Sequence, residues 1–284
     1  MRTIAVLGSE GMLGSMVARV LSADAALHVI RAGRTGGDVR FDAASEEGSA
    51  PLNGIDAEYF INCVGVLAKD IDEHDPISLS RAHAVNGAFP SFLARIAEAK
   101  NARVIHMSTD GVFSGKGGPY DESSPCDAPD TYGKTKVLGE IDHPSFLSIR
   151  CSIVGLNPKK TGLLEWFLAQ PAGSTLRGYS NHVWNGVTTL QFAEFVRDLV
   201  VKDFFEEIRE KTPVFHFAPN MPLTKYELLL LFKKVFNRDV SVESGEDPKG
   251  SIARVLQSKY SFPNLFTVHE RTMEDALTTF ASYA

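Results

Sequence analysis

Cysteine is scarce in this sequence, and its spacing argues against two kinds of protein. The 284 residues include three cysteines, an odd number, and no two of them form a CxxC pair. This argues against a disulfide framework and a zinc ribbon, and it favours a reducing compartment. The eight histidines form no HxxxH or HExxH pair, and no carboxylate cluster has metal-ligand spacing. We therefore predict no metal site.

Long apolar runs, repeats and low-complexity segments are absent as well. No stretch approaches the roughly 20 apolar residues that cross a bilayer, and the apolar run at the N-terminus is too short for a signal peptide. The net charge is −6, from 29 Lys and Arg against 35 Asp and Glu, which makes the chain a poor general binder of nucleic acids or anionic membranes. We expect a cytoplasmic protein that binds neither nucleic acids nor membranes. Whether the chain forms a homodimer is left open.

Short β-branched runs alternate with helical patterns through the first half of the chain. Strands are predicted at 3–7, 27–31, 39–41, 57–64, 103–107, 146–151 and 214–217, and helices at 12–21, 85–96, 131–141, 163–170, 188–201 and 224–236. Pro90 is a candidate kink. This alternation predicts an α/β fold, a Rossmann-type doubly wound parallel sheet with a smaller C-terminal substrate-binding portion.

The expected function divides the chain into two parts. We assign residues 1–151 and 183–218 to an NAD(P)-binding Rossmann domain. Residues 152–182 and 219–284 form a smaller domain that binds the nucleotide sugar implied by the resemblance described below.

A glycine-rich turn joins the first strand to the first helix. Gly8-Ser-Glu-Gly11-Met12-Leu13-Gly14 has the spacing GxxGxxG in the context that a dinucleotide-binding motif requires. Glycine permits a tight turn and a close approach of phosphate, while the helix N-terminus supplies free amides. We predict that Gly8, Gly11, Met12, Leu13 and Gly14 bind the cofactor. The alternative is a turn that only packs helix on strand.

The segment after the second strand bears on the choice of cofactor. An acid there would bind the ribose 2′-hydroxyl of NAD, but Arg31-Ala-Gly-Arg34-Thr35 carries none. Arg31 and Arg34 suit a 2′-phosphate, so we expect NADPH, with NADH as the alternative. Solvated surface arginines are the simpler interpretation of both. Asp42, after the third strand, is placed to meet the adenine edge or to cap a turn.

Tyr132-Gly-Lys-Thr-Lys136 and an upstream hydroxyl are the candidate catalytic groups. On a helix, Tyr132 and Lys136 lie on one face, and the ammonium is expected to lower the pKa of the phenol toward working pH. Tyrosine is then a general acid or base for a carbonyl and alcohol pair. Ser108-Thr109-Asp110 follows a buried strand, where a hydroxyl can donate to a substrate carbonyl or cap the next loop.

These elements resemble the extended short-chain dehydrogenase/reductase family, and within it dTDP-4-dehydrorhamnose reductases and related nucleotide-sugar 4-ketoreductases. The resemblance is carried by residues 108–115, 118–122 and 131–140. It implies that Thr109, Tyr132 and Lys136 are catalytic, with Ser108 as the fallback hydroxyl. The further cofactor contacts that it implies are Cys63, Val64, Gly65, Asn86, Ser108, Tyr132 and Lys136.

The resemblance also implies a reaction, the NAD(P)H-dependent reduction of a 4-keto-6-deoxy nucleotide sugar in deoxysugar or polysaccharide biosynthesis. Tyr132 protonates the alkoxide, Lys136 holds the nicotinamide ribose, and Thr109 hydrogen-bonds the carbonyl oxygen. Two alternatives stay open. One is an NADP-binding regulatory subunit without turnover, as in methionine adenosyltransferase, and the other is a nucleotide-sugar epimerase.

Two positions in the expected sugar pocket depart from the reductase pattern. Gly111 stands where tyrosine is usual, and Ile153 where tryptophan is usual, which leaves the sugar itself open. The absence of a glutamate after Asp110 argues against a 4,6-dehydratase. Trp184 is an aromatic wall or a core residue, and Lys69 is an anion contact or a solvated lysine. The candidate substrate-binding residues are Lys69, Asp110, Gly111, Ile153, Trp184 and Asn185.

Overall fold

The computed structural model describes residues 1–262 and 271–283, in which strands and helices alternate. The strands are β1 (Arg2–Leu7), β2 (Leu27–Gly33), β3 (Val39–Arg40), β4 (Tyr59–Asn62), β5 (Arg103–Met107), β6 (Phe146–Arg150), β7 (Ile153–Val154), β8 (Ser174–Tyr179), β9 (His182–Trp184), β10 (Val187–Thr188), β11 (Val214–His216), β12 (Leu223–Thr224), β13 (Val240–Gly245) and β14 (Ile252–Arg254). The helices are α1 (Met12–Ser22), α2 (Glu46–Ser49), α3 (Pro76–Ala82), α4 (Phe89–Lys100), α5 (Thr131–Leu138), α6 (Leu163–Leu168), α7 (Thr189–Val201), α8 (Phe205–Lys211), α9 (Lys225–Val235) and α10 (Met273–Tyr283).

Seven parallel strands form the central sheet, in the order β3-β2-β1-β4-β5-β6-β11. The chain builds outward from β1 in one direction and then returns to β4 on its other side. A sheet of this kind binds ligands outside the carboxyl ends of its strands, at the point where the order reverses. The prediction of a Rossmann-type doubly wound parallel sheet is confirmed.

Apolar side chains cover both faces of this sheet. On one face Val17 of α1 and Phe195 of α7 belong to a buried cluster that continues into the C-terminal part through Phe232. On the other face Phe89 and Leu93 of α4 belong to a second cluster. The strands are therefore buried on both sides, which explains their nearly continuous apolar runs in the sequence.

After β6 the chain leaves the main sheet and later returns to it. β11 pairs with β6, whereas β9 pairs with β12 and β14, and β8 pairs with β13 in separate short sheets. The division into two domains stays a prediction. β9 lies at the predicted boundary of 183 and pairs outside the main sheet. Residues 263–270 and 284 of the predicted smaller domain lie outside the described residues.

The helix predicted over 85–96 is in fact two segments. A π-helical turn, His83–Ala88, precedes α4, and Pro90 lies in the first turn of α4. The Phe89 amide still donates to the Ala84 carbonyl oxygen in the π-helical turn, and Pro90 has no N–H to continue that pattern. The irregularity therefore lies before Pro90 rather than at it, and it carries Asn86.

Candidate active site

A cleft of about 780 Å³ opens at the carboxyl ends of β1, β4 and β5. It brings together residues that are far apart in the sequence but that the motifs single out. The predicted site residues that line it are Gly8, Gly11, Met12, Leu13, Arg34, Asp42, Cys63, Val64, Gly65, Lys69, Ser108, Thr109, Tyr132, Lys136, Ile153 and Trp184.

The glycine-rich turn fits the phosphates of a dinucleotide. Gly8 has a φ of 75°, and a Cβ on Gly14 would lie 2.2 Å from the carbonyl oxygen of Gly8, so helix and turn pack backbone to backbone. Gly11 precedes α1 without a side-chain cap, and no acid occupies the first turn of that helix. The first-turn amides are therefore available to an anion, with the helix dipole in support.

Helix α5 holds Tyr132 against the loop that follows β5. Asp130 accepts a hydrogen bond from the Gly133 amide at 2.8 Å and begins the helix. A Cβ on Gly133 would lie 2.3 Å from the Gly111 carbonyl oxygen, and a Cβ on Gly111 would lie 3.0 Å from Cε1 of Tyr132 and 3.2 Å from Oγ1 of Thr109. These two glycines thus let the phenol ring and the threonine hydroxyl lie side by side.

Thr109, rather than Ser108, supplies the hydroxyl beside Tyr132. The Ser108 hydroxyl donates to Glu140 Oε1 at 2.6 Å, and Glu140 in turn pairs with Arg150 at 2.7 Å. Both charged side chains of that pair are 5% exposed. Ser108 is therefore engaged by a buried ion pair, whereas Thr109 Oγ1 lies at the phenol ring, accepts the Gly111 amide at 3.0 Å and donates to Asp110 Oδ1 at 3.2 Å.

The expected lowering of the Tyr132 pKa by Lys136 is not what the structure shows. Burial raises the pKa of Tyr132 to about 12, which the Thr109 hydroxyl only partly offsets. Lys136 instead donates to the carbonyl oxygen of Met107 at 2.6 Å, and burial lowers its own pKa to about 8. Burial, which the sequence does not give, governs the pKa of Tyr132.

Two buried polar side chains position α5. Asn86, in the π-helical turn, accepts the Val66 amide at 2.8 Å and donates to the Val66 carbonyl at 3.0 Å and to Thr135 Oγ1 at 3.1 Å. His106 lies between Lys136 and Asn62, with its ring nitrogens 3.2 Å from Lys136 Nζ and 2.9 Å from Asn62 Nδ2. Asn86 therefore joins the loop after β4 to α5.

Several predicted site residues do not line the cleft. Arg31 pairs with Asp38 at 3.1 Å, and Asn185 makes two hydrogen bonds to the backbone of Leu256. Arg31 and Asn185 thus each have a hydrogen-bonding partner that the sequence motifs do not indicate. The predicted residues outside the cleft lining are Gly14, Arg31, Asn86, Asp110, Gly111 and Asn185. Of these, Gly14 and Gly111 shape the site through packing.

Other residues line the cleft although the sequence motifs do not single them out. Glu10 lies inside the GxxGxxG motif and lines the cleft. An acidic side chain within a phosphate-binding turn could have identified it as a site residue from the sequence. Lys159 lies on the loop after β7 and lines the cleft. The sequence gives its positive charge but does not indicate that it lies in the cleft. Lys225, at the start of α9, also lines an adjoining cavity of about 380 Å³. The second cavity lies between residues of the C-terminal half, including Trp166 and Arg177.

Comparison with known proteins agrees with this geometry. A model of the RmlD substrate binding domain matches residues 1–249. The chain belongs to the RmlD substrate-binding domain family. The resemblance to extended short-chain nucleotide-sugar reductases is thereby confirmed.

Two relatives of this RmlD-family chain carry different names. A dTDP-4-dehydrorhamnose reductase of Streptomyces griseus is 36% identical over 136 residues, 48% of this chain and 42% of the relative. Methionine adenosyltransferase 2 subunit beta of Xenopus laevis is 29% identical over 143 residues, 49% of this chain and 42% of that protein. The matches thus span less than half the length of either relative.

A solved structure has the same fold. The crystal structure of dTDP-4-dehydrorhamnose reductase from Bacillus anthracis in complex with NADP matches 100% of both chains with a TM-score of 0.77 at 15% identity. At this identity the likeness concerns the fold. Within residues 1–262 and 271–283, no helix has the length and apolar composition to span a membrane. The same residues contain no group of three or more metal-ligating side chains.

Proposed function

We propose that this chain reduces a nucleotide-linked 4-keto-6-deoxy sugar with NAD(P)H, in the biosynthesis of deoxysugars or polysaccharides. The observation that carries the proposal is that Thr109, Tyr132 and Lys136 share one cleft with the glycine-rich phosphate turn. The names of the matched reductases support the same class of substrate. The three cysteines are free, in keeping with a cytoplasmic location.

The cofactor half of the cleft fits a dinucleotide. The first-turn amides of α1 would hold its phosphates, and Arg34 would pair with the 2′-phosphate of NADPH. Cys63 and Val64, which follow β4, form the floor beside the turn. When bound, NADPH or NADH supplies the hydride that reduces the ketone.

Tyr132 is suited to the proton transfer that completes the reduction. Because burial raises the pKa of Tyr132 to about 12, the phenol keeps its proton at neutral pH. That is the form that gives a proton to the alkoxide oxygen at the former carbonyl carbon. Thr109, whose hydroxyl donates to Asp110 Oδ1 in this structure, would turn that hydrogen to the same oxygen as negative charge grows on it. Lys136, one turn further along the same face of α5, would hold the nicotinamide ribose.

We assign the sugar and nucleotide of the substrate to the far side of the cleft and to the smaller domain, residues 152–182 and 219–284. Ile153 lines the cleft from the smaller domain, Trp184 lines it from β9 at the domain boundary, and Lys69 lies exposed at the edge of the cleft. Lys225 lines both the cleft and the adjoining cavity, so its ammonium can face an anionic diphosphate from either. A homodimer stays a prediction.

The proposal is tested by mixing the protein with NADPH and a panel of nucleotide-linked 4-ketosugars. We expect one of them to cause a loss of NADPH absorbance, and Tyr132→Phe to lower kcat by about 10²–10⁴-fold, the usual contribution of a general acid. Tyr283→Phe, on α10 and outside the cleft lining, is the matched control and should retain full activity. No turnover with any 4-ketosugar, despite cofactor binding, would contradict the proposal.

A second candidate function is a regulatory subunit that binds NADP without turnover, favoured by the match to methionine adenosyltransferase 2 subunit beta. It predicts a stoichiometric enzyme partner whose regulation survives Tyr132→Phe. The epimerase alternative predicts that tightly bound NAD is retained through purification, because the hydride must return to the same substrate. Both outcomes differ from net NADPH consumption.

A further inference from the structure

Glu10 lies at the phosphate turn, and the proposed function gives it no role. It stands between Gly8 and Gly11 of the glycine-rich turn and lines the cleft. Its carboxylate is held in place by Thr35, whose hydroxyl donates to Oε1 at 2.7 Å and whose amide donates to Oε2 at 3.0 Å. These two hydrogen bonds fix a negative charge at the loop that follows β2.

Two glycines make room for this carboxylate. A Cβ on Gly33 would lie 2.7 Å from Glu10 Oε2, and a Cβ on Gly36 would lie 2.6 Å from Oε1. The carboxylate therefore occupies the loop at the carboxyl end of β2, beside the stretch 31–35 that itself carries no acid. An acid in that place accepts a hydrogen bond from a ribose 2′-hydroxyl and repels a 2′-phosphate.

Two cations face the same region. Arg34 lines the cleft, and within the described part of the chain no carboxylate lies within ion-pair distance of it. Lys159 lines the cleft from the loop after β7. Hydrogen bonds from Thr35 hold the pKa of Glu10 below its ordinary value, with a smaller contribution from the charge of Lys159. Glu10 is therefore ionised at neutral pH and opposes the attraction of Arg34 for an added phosphate.

We propose that Glu10 is the residue that limits the preference of this chain for NADPH. It accepts a hydrogen bond from the 2′-hydroxyl of NADH and offsets part of the attraction of Arg34 for the 2′-phosphate of NADPH. The inference rests on the proposed function, since it assumes a dinucleotide in this cleft. The inference goes beyond the proposed function by assigning cofactor selection to a residue of the phosphate turn.

The test is calorimetric titration of the purified chain with NADPH and with NADH, without sugar. Glu10→Gln keeps the shape of the side chain and removes its charge. We expect the Kd for NADPH to fall about tenfold and the Kd for NADH to stay level or rise about threefold. Glu47→Gln, an exposed residue of α2 outside the cleft lining, makes the same change in net charge and should leave both Kd values unchanged.

The outcomes separate the two proposals. A ratio of the two Kd values within about twofold of wild type, in a Glu10→Gln protein that binds both dinucleotides, overturns the inference and leaves the proposed function intact. A wild-type chain that binds neither dinucleotide overturns the proposed function. If Glu10→Gln fails to fold, Glu10→Ala repeats the test, with the same tightening of NADPH expected and the same unchanged ratio overturning the inference.

Discussion

Lys136 Nζ lies 3.2 Å from His106 Nε2 at the carboxyl end of β5. His106 is fully buried, and burial holds its pKa well below the ordinary value, so the imidazole is neutral beside the ammonium. Burial also lowers the pKa of Lys136 to about 8. The lysine of the YxxxK motif is thus anchored from the main sheet, and it loses its charge near the upper end of the physiological pH range.

This anchoring predicts an alkaline limit to activity. Lys136 is charged below its pKa of about 8, so kcat/KM for reduction should fall as pH rises through that value. Tyr132, whose pKa is about 12, keeps its proton throughout this range and does not contribute to the fall. A pH profile of Lys136→Arg provides the check. Arginine stays charged, so the fall near pH 8 should vanish, and its persistence would show that another group titrates.

Thr109 and Ser108 should differ sharply although they are neighbours. Thr109→Val removes a donor beside the phenol ring while keeping the side-chain shape, and we expect kcat to fall by about 10²–10³-fold. Ser108→Ala removes only a hydrogen bond to Glu140, so kcat should change by less than about threefold. Steady-state kinetics of both variants decide the matter. A larger loss in Ser108→Ala would assign the catalytic hydroxyl to the serine.

The two arginines of the β2 loop should also behave differently. Arg34 lines the cleft, and Arg34→Ala should weaken NADPH binding by about 10–100-fold without affecting NADH, as expected for a lost charge-assisted hydrogen bond. Arg31 is paired with Asp38, so Arg31→Ala should leave both affinities unchanged. Equilibrium titration with each dinucleotide measures this. Equal losses in the two variants would favour a general charge effect over a specific site.

The fold was largely predictable, because the strands of a parallel sheet that is buried on both faces have nearly continuous apolar sequences. Strand β5 was predicted at its observed bounds, and the Thr224–Glu227 capping box begins α9 as its sequence indicates. The π-helical turn before α4 was not predictable, since hydrophobic spacing does not distinguish it from an α-helix. It is stabilised by the tertiary hydrogen bonds of Asn86.

The site was predictable where a motif imposes local geometry. The glycine-rich turn and the Tyr132/Lys136 pair fall into this class, and both line the cleft. The partners of Arg31 and Ser108 were not predictable. Asp38 and Glu140 contact them only in the folded chain, and no motif spacing indicates these contacts. The same limit applies to pKa values, since sequence alone does not give the burial that governs them.

The buried ion pair behind Ser108 should dominate local stability. Glu140→Gln leaves the Arg150 guanidinium, itself 5% exposed, without its counter-charge. We expect the free energy of unfolding to fall by about 3–5 kcal/mol. Glu46→Gln breaks the exposed pair with Arg95 and should cost less than about 1 kcal/mol. Urea denaturation of the two variants gives the comparison, and similar losses would contradict the importance assigned to burial.

Mass spectrometry of the sugar product distinguishes reduction of the ketone from isomerisation of the sugar. The protein is incubated with a nucleotide-linked 4-keto-6-deoxy sugar and with NADPH that carries deuterium at the transferable position of its nicotinamide. We expect an alcohol with one deuterium on the former carbonyl carbon, and little of this product with Tyr132→Phe. A sugar that stays unreduced or is only isomerised, in protein that has bound the cofactor, would contradict the proposed reduction.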